Sequence, residues 1–312
     1  MSALGKLGVW TWLDGMKAPL AAEFAQHLEA LGYSALWLPE AVGRDPFATI
    51  GWLGAQTRRL VFATGIANLY ARDPMAMTAL RKTLAELTGG RFVLGIGVSH
   101  SHLVAGVRGH EYKSPIATMR AYLEAMGKAL YRGAESEREA PVVLAALRPR
   151  MLALAAELAD GAHPYFVPPE HTARAREILG RGKLLAPEQK VLLQTDAAKA
   201  RAVARAAMKI YTALPNYQNN LRWLGFTDAD FAGGGSDRLV DAIVAWGDEG
   251  AIRRRIQAHF DAGADHVCVQ PLHPEGLPIP HREVLELLAP ASAGPAGARS
   301  EAKPSEGHRA GS

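Results

Sequence analysis

Cysteine is almost missing from this chain of 312 residues; Cys268 stands alone inside an apolar stretch. A single thiol closes no intrachain disulfide and builds no Cys-rich metal site. Long apolar runs are missing too: none reaches the roughly 18 residues that a membrane span needs. Neither sign of charge dominates, because 35 basic residues face 31 acidic ones for a net charge of +4. The basic residues are scattered, so no stripe for nucleic acid forms. The phosphate loop GxxxxGK[ST] is absent, which argues against a nucleotide triphosphatase. Gly95-Ile-Gly97 begins like a dinucleotide fingerprint, but Val98-Ser-His100 follows where a third glycine would stand. The chain runs straight into Leu7-Gly-Val-Trp-Thr-Trp12 without a basic segment and long apolar core. No secretory signal is therefore expected, and the expectation is a cytoplasmic protein with no membrane or nucleic-acid partner.

What is present is a repeating alternation of short apolar runs and amphipathic helices. Hydrophobic residues make up 48% of the chain, enough for a large core. Strands are expected at Leu7–Trp12, Ala35–Pro39, Leu60–Ile66, Arg91–Gly97, Pro141–Ala146, Asp160–Tyr165, Lys190–Gln194 and Asp265–Gln270. The fourth, rich in Phe92, Val93, Leu94 and Ile96, has no polar face, as in a parallel sheet covered on both sides. Helices are expected between the strands, for example Pro19–Leu31 with Leu20, Phe24, Leu28 and Leu31 on one side. Eight strands separated by helices predict a (β/α)8 TIM barrel. Residues 196–250 are too long for one crossover and carry Gly233-Gly-Gly235, so they read as a helical insertion before the last strand. Residues 1–290 then form one domain, and 291–312, rich in Ala, Gly, Pro, Ser and charge, a disordered tail.

In such folds ligands bind at the carboxyl ends of the strands. The fourth strand ends there in Ser99, His100, Ser101 and His102. His100 is read as a hydrogen-bond donor or proton carrier. An extended Ser99–His102 segment would let His100 and His102 point the same way, but no third ligand is evident, so no metal is expected. Glu40 ends the second strand and is a candidate for the site; the alternative is a rim ion pair with Arg44 or Arg72. Arg148-Pro-Arg150 lies between a strand and a helix start, where free backbone donors and guanidinium groups make an anion site. Trp10, Trp12, Trp37, Trp52 and Tyr70 fall near strand ends; most suit the core, and one or two could wall an aromatic ligand.

As a set, several stretches resemble the luciferase-like monooxygenase superfamily, in its coenzyme F-420-dependent oxidoreductase branch. They are Leu60-Val-Phe-Ala-Thr-Gly-Ile-Ala67, Arg72-Asp-Pro74, Thr83-Leu-Ala-Glu-Leu-Thr-Gly-Gly-Arg-Phe-Val-Leu-Gly-Ile-Gly97, Leu36-Trp-Leu-Pro-Glu40, Leu154-Ala-Ala-Glu-Leu-Ala-Asp-Gly161 and Ala262-Gly-Ala-Asp-His-Val267. The resemblance implies the barrel with its insertion, a homodimer, and a deazaflavin at the mouth. It also implies a cis peptide at Gly65–Ile66 behind the cofactor ring. Cofactor contacts are implied at Asn68, Gly97, Val98 and Ser99, and phosphate contacts at Arg148, Pro149, Arg150 and Met151. The sequence departs from the branch's sugar-phosphate dehydrogenases: Ala41 replaces a histidine after the acid of strand two, and His100 replaces an acidic residue. The reading is hydride transfer between coenzyme F-420 and a small organic substrate, with His100 and Glu40 as proton carriers. The alternatives are an FMN-dependent monooxygenase that incorporates oxygen with a partner reductase, and a non-catalytic flavin-binding protein.

Overall fold

The computed structural model describes residues 4–290; the tail expected at 291–312 lies outside them. The elements in order are β1 (Leu7–Trp10), α1 (Ala18–Ala30), β2 (Ala35–Leu38), α2 (Pro46–Gln56), β3 (Val61–Thr64), β4 (Ala67–Asn68), α3 (Pro74–Leu87) and β5 (Phe92–Gly97). Then come α4 (Pro115–Gly127), β6 (Val142–Leu144), α5 (Pro149–Leu158), β7 (Gly161–Ala162), α6 (Pro169–Leu179), β8 (Leu184–Leu185) and β9 (Glu188–Leu193). The chain closes with α7 (Ala197–Thr212), α8 (Pro215–Trp223), α9 (Asp228–Phe231), α10 (Asp237–Ile243), β10 (Val244–Gly247), α11 (Glu249–Asp261), β11 (Val267–Pro271) and α12 (Arg282–Leu287).

Helix starts follow local chemistry. Proline stands in the first turn of α1 through α6, where a missing backbone donor costs nothing. Asp45, Asp73, Asp196 and Asp248 cap α2, α3, α7 and α11 by accepting from backbone N–H groups.

The strands form one parallel sheet ordered β10-β9-β11-β1-β2-β3-β5-β6-β7-β8, with β4 beside β5. It curls because one stretch, residues 184–193, bonds on both sides. The Ala186 N–H donates to the Ala162 carbonyl beside β7 (3.0 Å), and the Cys268 N–H of β11 donates to Pro187 (2.9 Å). Side chains alternate along the strands. Trp10, Ala35, Trp37, Val61, Ala63, Val93, Val143 and Cys268 pack inside the curl. Val9, Leu36, Leu38, Phe62 and Leu94 face the helices. The strands are thus apolar on both faces, as a covered parallel sheet requires.

Three expectations need correction. The third strand ends at Thr64 rather than Ile66, and pairing resumes as β4 against Ile96 and Gly97; the Gly65–Ile66 peptide between them is cis, as the resemblance implies. The segment expected as a helical insertion also holds β10, which pairs with β9 from Lys190 to Leu193. Ser99–His102 is not extended: Ser99 has φ of 56°, and a π-helical turn follows at His102–Val107. His100 and His102 therefore sit on a turn and not on an extended segment, and both border one cavity at the strand ends. Among the described residues, no group of three or more His, Cys, Asp or Glu is placed to hold a metal ion.

Candidate active site

A cavity of about 500 Å³ opens at the carboxyl ends of the strands. Its floor is built where β3 gives way to β4 and where β5 ends. Trp10 on β1 donates its indole N–H to the Gly65 carbonyl (2.7 Å), which holds the cis Gly65–Ile66 turn in place. A Cβ on Gly97 would stand 2.5 Å from Ile66 Cδ1 and 3.2 Å from Ala145 Cβ. A Cβ on Gly95 would stand 2.0 Å from the Thr64 carbonyl oxygen. The two glycines thus admit the protein's own bulge; Gly95 is absent from the cavity lining, whereas Gly97 is part of it.

Past Gly97 the chain turns at Ser99, whose left-handed backbone costs a non-glycine residue on the order of 1 kcal/mol. Tyr112 donates its hydroxyl to the Ser99 carbonyl (3.3 Å) and secures that turn. The turn carries His100 over the cavity, 5.7 Å from the Tyr217 ring. Burial lowers the His100 pKa, and a hydrogen bond with Asn216 only partly opposes it. The imidazole is therefore neutral at pH 7 and can accept a proton.

Glu40 also lines the cavity, but its carboxylate is occupied. Oε1 accepts from Arg72 Nη1 (2.7 Å) and Oε2 from the Asn68 backbone N–H (2.8 Å). Arg72 also pairs with Asp45 and lies 4.5 Å from the Phe47 ring centroid. The ion-pair alternative thus holds for Arg72; Arg44 instead donates to the Met16 carbonyl.

Of the other sequence candidates, Gly65, Ile66, Gly97, Val98 and Ser99 line the cavity. Asn68 does not; it is buried, with its side-chain oxygen accepting from the Tyr70 N–H. Arg148, Pro149 and Arg150 are exposed at the start of α5, next to the lining residue Leu147. No side chain caps that helix. Met151 is buried in the core. Trp10 and Trp12 line the cavity, Trp37 lies beneath it inside the curl, and Trp52 is exposed.

Sequence reasoning missed His163, Tyr165, Tyr211, Asn216 and Tyr217. His163 follows β7, stacks on Trp37 at 4.4 Å, and directs Nδ1 to the Ala186 carbonyl (2.7 Å). Its buried Nε2 has no hydrogen-bond partner. Desolvation pushes its pKa down to about 4, so Nε2 is an unsatisfied acceptor in the cavity wall. The position of His163 at a strand end was the available signal. Tyr211, Asn216 and Tyr217 come from α7 and α8, where no pattern marks a residue as facing the cavity.

These features fit a flat aromatic cofactor with an anionic tail. The floor is apolar and planar residues surround it, one buried acceptor awaits a donor, and two arginines flank an uncapped helix start.

A family model for luciferase-like monooxygenases matches residues 3–266. A Mycobacterium tuberculosis protein described as a coenzyme F-420-dependent oxidoreductase is 30% identical over 213 residues, covering 58% of this chain and 61% of the relative. The match thus spans about three fifths of that relative's length. In fold, the chain is similar to the coenzyme F-420-dependent tetrahydromethanopterin reductase of Methanopyrus kandleri, with TM-score 0.69, 18% identity, and coverage of 92% and 98% of the two chains. It is also similar to the FMN complex of the oxygenating constituent of 3,6-diketocamphane monooxygenase from Pseudomonas putida, with TM-score 0.67, 16% identity, and coverage of 91% and 96%. With the cavity at the strand ends and the cis turn beneath it, the chain belongs to the luciferase-like monooxygenase family, alongside the coenzyme F-420-dependent members that it resembles.

Proposed function

We propose that this protein is a coenzyme F-420-dependent oxidoreductase acting on a small organic substrate. The observation that carries the reading is an apolar cavity at the strand ends, floored by Ile66 and Gly97 and walled by planar residues, whose lining residue Leu147 adjoins Arg148 and Arg150. A bound deazaflavin would supply hydride transfer, chemistry that belongs to the cofactor. The protein's part is to bind, orient and exclude water. Ile66 backs the ring, and Gly97, Val98 and Ser99 border it. Arg148 and Arg150, with the α5 start, receive the anionic tail. His100 holds or takes the substrate's proton. Glu40 orients Arg72 and the Asn68 amide rather than moving a proton. We read the curled sheet as a (β/α)8 barrel, with residues 196–250 as its insertion, in a homodimer.

Titrating the protein with the deazaflavin and with FMN separates the readings. Quenching of deazaflavin fluorescence at micromolar protein, with FMN failing to compete, supports the proposal. Tighter FMN binding, with oxygen uptake when reduced FMN is supplied, would replace it with the two-component monooxygenase. Cofactor binding without turnover on any substrate would leave a carrier protein.

A further inference from the structure

Beyond its floor the cavity continues into a chamber walled by Trp12, Tyr165, Tyr211, Leu214 and Tyr217, with Ile210 at the rim. The rings are set at angles: Tyr165 and Tyr211 have centroids 5.2 Å apart, and Tyr211 meets Tyr217 edge-on at 5.4 Å. Trp12 and Ile210 are 37% and 72% exposed, so the entrance as well as the wall is apolar.

No Lys or Arg lines this cavity among the described residues. Arg148 and Arg150 stand outside the lining, at the α5 start beyond Leu147, where the proposed cofactor tail would take them up, and the other charges near the chamber are engaged. Glu40 is held by Arg72 and the Asn68 amide. Lys190 Nζ lies 4.0 Å from the Tyr165 ring centroid, but it is fully buried against Glu188 (3.3 Å) and does not line the cavity. Arg108 is exposed and bonds to the Ala41 carbonyl, also without lining the cavity. An anion placed in the chamber would lose water and gain no cation from its walls. Aromatic walls with few convergent polar groups suit a neutral ring-bearing ligand instead. Besides the engaged Glu40, the polar groups lining the cavity include His100, His102, His163, Asn216 and the Tyr211 hydroxyl, which lies 2.8 Å from that of Tyr165.

We infer that the chamber binds a neutral, largely apolar substrate carrying a ring and one hydroxyl or carbonyl oxygen, which bonds to His100 or Asn216. The inference rests on the oxidoreductase reading for calling this ligand the substrate. The chamber's own preference stands on its walls.

The test compares acetophenone and 1-phenylethanol with 4-acetylbenzoate, which has the same skeleton plus a charge. Binding is read by quenching of tryptophan emission, with and without the deazaflavin, and cofactor binding is scored separately. The neutral pair should bind at least about tenfold more tightly than the carboxylate. Leu214→Arg, at a half-buried wall position, should raise carboxylate affinity by roughly tenfold and weaken the neutral pair. Equal or tighter binding of 4-acetylbenzoate to the unaltered protein overturns the inference, and so does failure of the neutral pair to bind at millimolar concentration. Cofactor failing to bind while the neutral preference persists refutes the oxidoreductase reading and leaves the chamber's preference standing.

Discussion

His100 and Glu40 sit in the same cavity with opposite prospects. The His100 imidazole is neutral with one polar neighbour, whereas both Glu40 oxygens are bonded. His100→Ala should leave deazaflavin affinity unchanged and lower turnover by at least about tenfold, read by stopped-flow cofactor absorbance. An unchanged rate would remove His100 from the chemistry. Because burial depresses its pKa, the rate of substrate oxidation should rise with pH through an inflection below the usual histidine range of about 6.5, and that inflection should vanish in His100→Ala. Glu40→Gln should instead cost stability, on the order of 1–3 kcal/mol, by breaking a largely buried pair. A fall in turnover at unchanged melting temperature would return Glu40 to the list of proton carriers.

Two glycines of one strand separate structural from functional cost. At Gly95 the added carbon would meet a backbone carbonyl at 2.0 Å, an atom that cannot swing away. Gly95→Ala should destabilise the fold by roughly 3 kcal/mol, read by urea unfolding. At Gly97 the added carbon would meet the end of the Ile66 side chain, which can rotate. Gly97→Ala should therefore fold and weaken cofactor binding, because displacing Ile66 reshapes the cavity floor. Equal stability loss in the two variants would contradict this division. Beside these glycines, at the end of β3, Thr64 Oγ1 donates to the Gly95 carbonyl (2.7 Å).

Across the whole molecule, four buried histidines tie distant elements. His266 links the Gly5 carbonyl (2.5 Å) to the Trp37 indole (3.2 Å), and Trp37 stacks under His163. His259 joins Thr172 of α6 (2.8 Å) to Gln189 of β9 (3.0 Å). His171 bonds to the Leu147 carbonyl (2.6 Å) at the cavity edge. Desolvation lowers the pKa to about 4 for His163, His171 and His266 and to about 3 for His259. In the unfolded chain these groups titrate near 6.5, so from there down to about 4 the unfolded state binds protons that the fold refuses. Stability is complete above pH 6.5 and falls as pH falls, by about 3 kcal/mol for each histidine. Four such terms reach the about 5–15 kcal/mol that holds a domain together. Circular dichroism against pH should show cooperative unfolding between pH 6 and 4, and a fold intact at pH 4 would refute it.

The strand and helix alternation, the polar cluster after Gly97, and the arginine-flanked start of α5 follow from the chain alone. They depend on local periodicity, helix-start chemistry and runs of residue types that neighbours along the backbone make visible. The cis Gly65–Ile66 bond is likewise implied by the resemblance of the motif set. Only the tertiary structure decided that Glu40 is tied to Arg72, 32 residues away, and that His163 leaves one nitrogen unsatisfied. It alone brought Tyr211 and Tyr217 from α7 and α8 against Tyr165. Those facts depend on which distant side chains meet after the sheet curls, and burial and hydrogen-bond occupancy exist only once they have met.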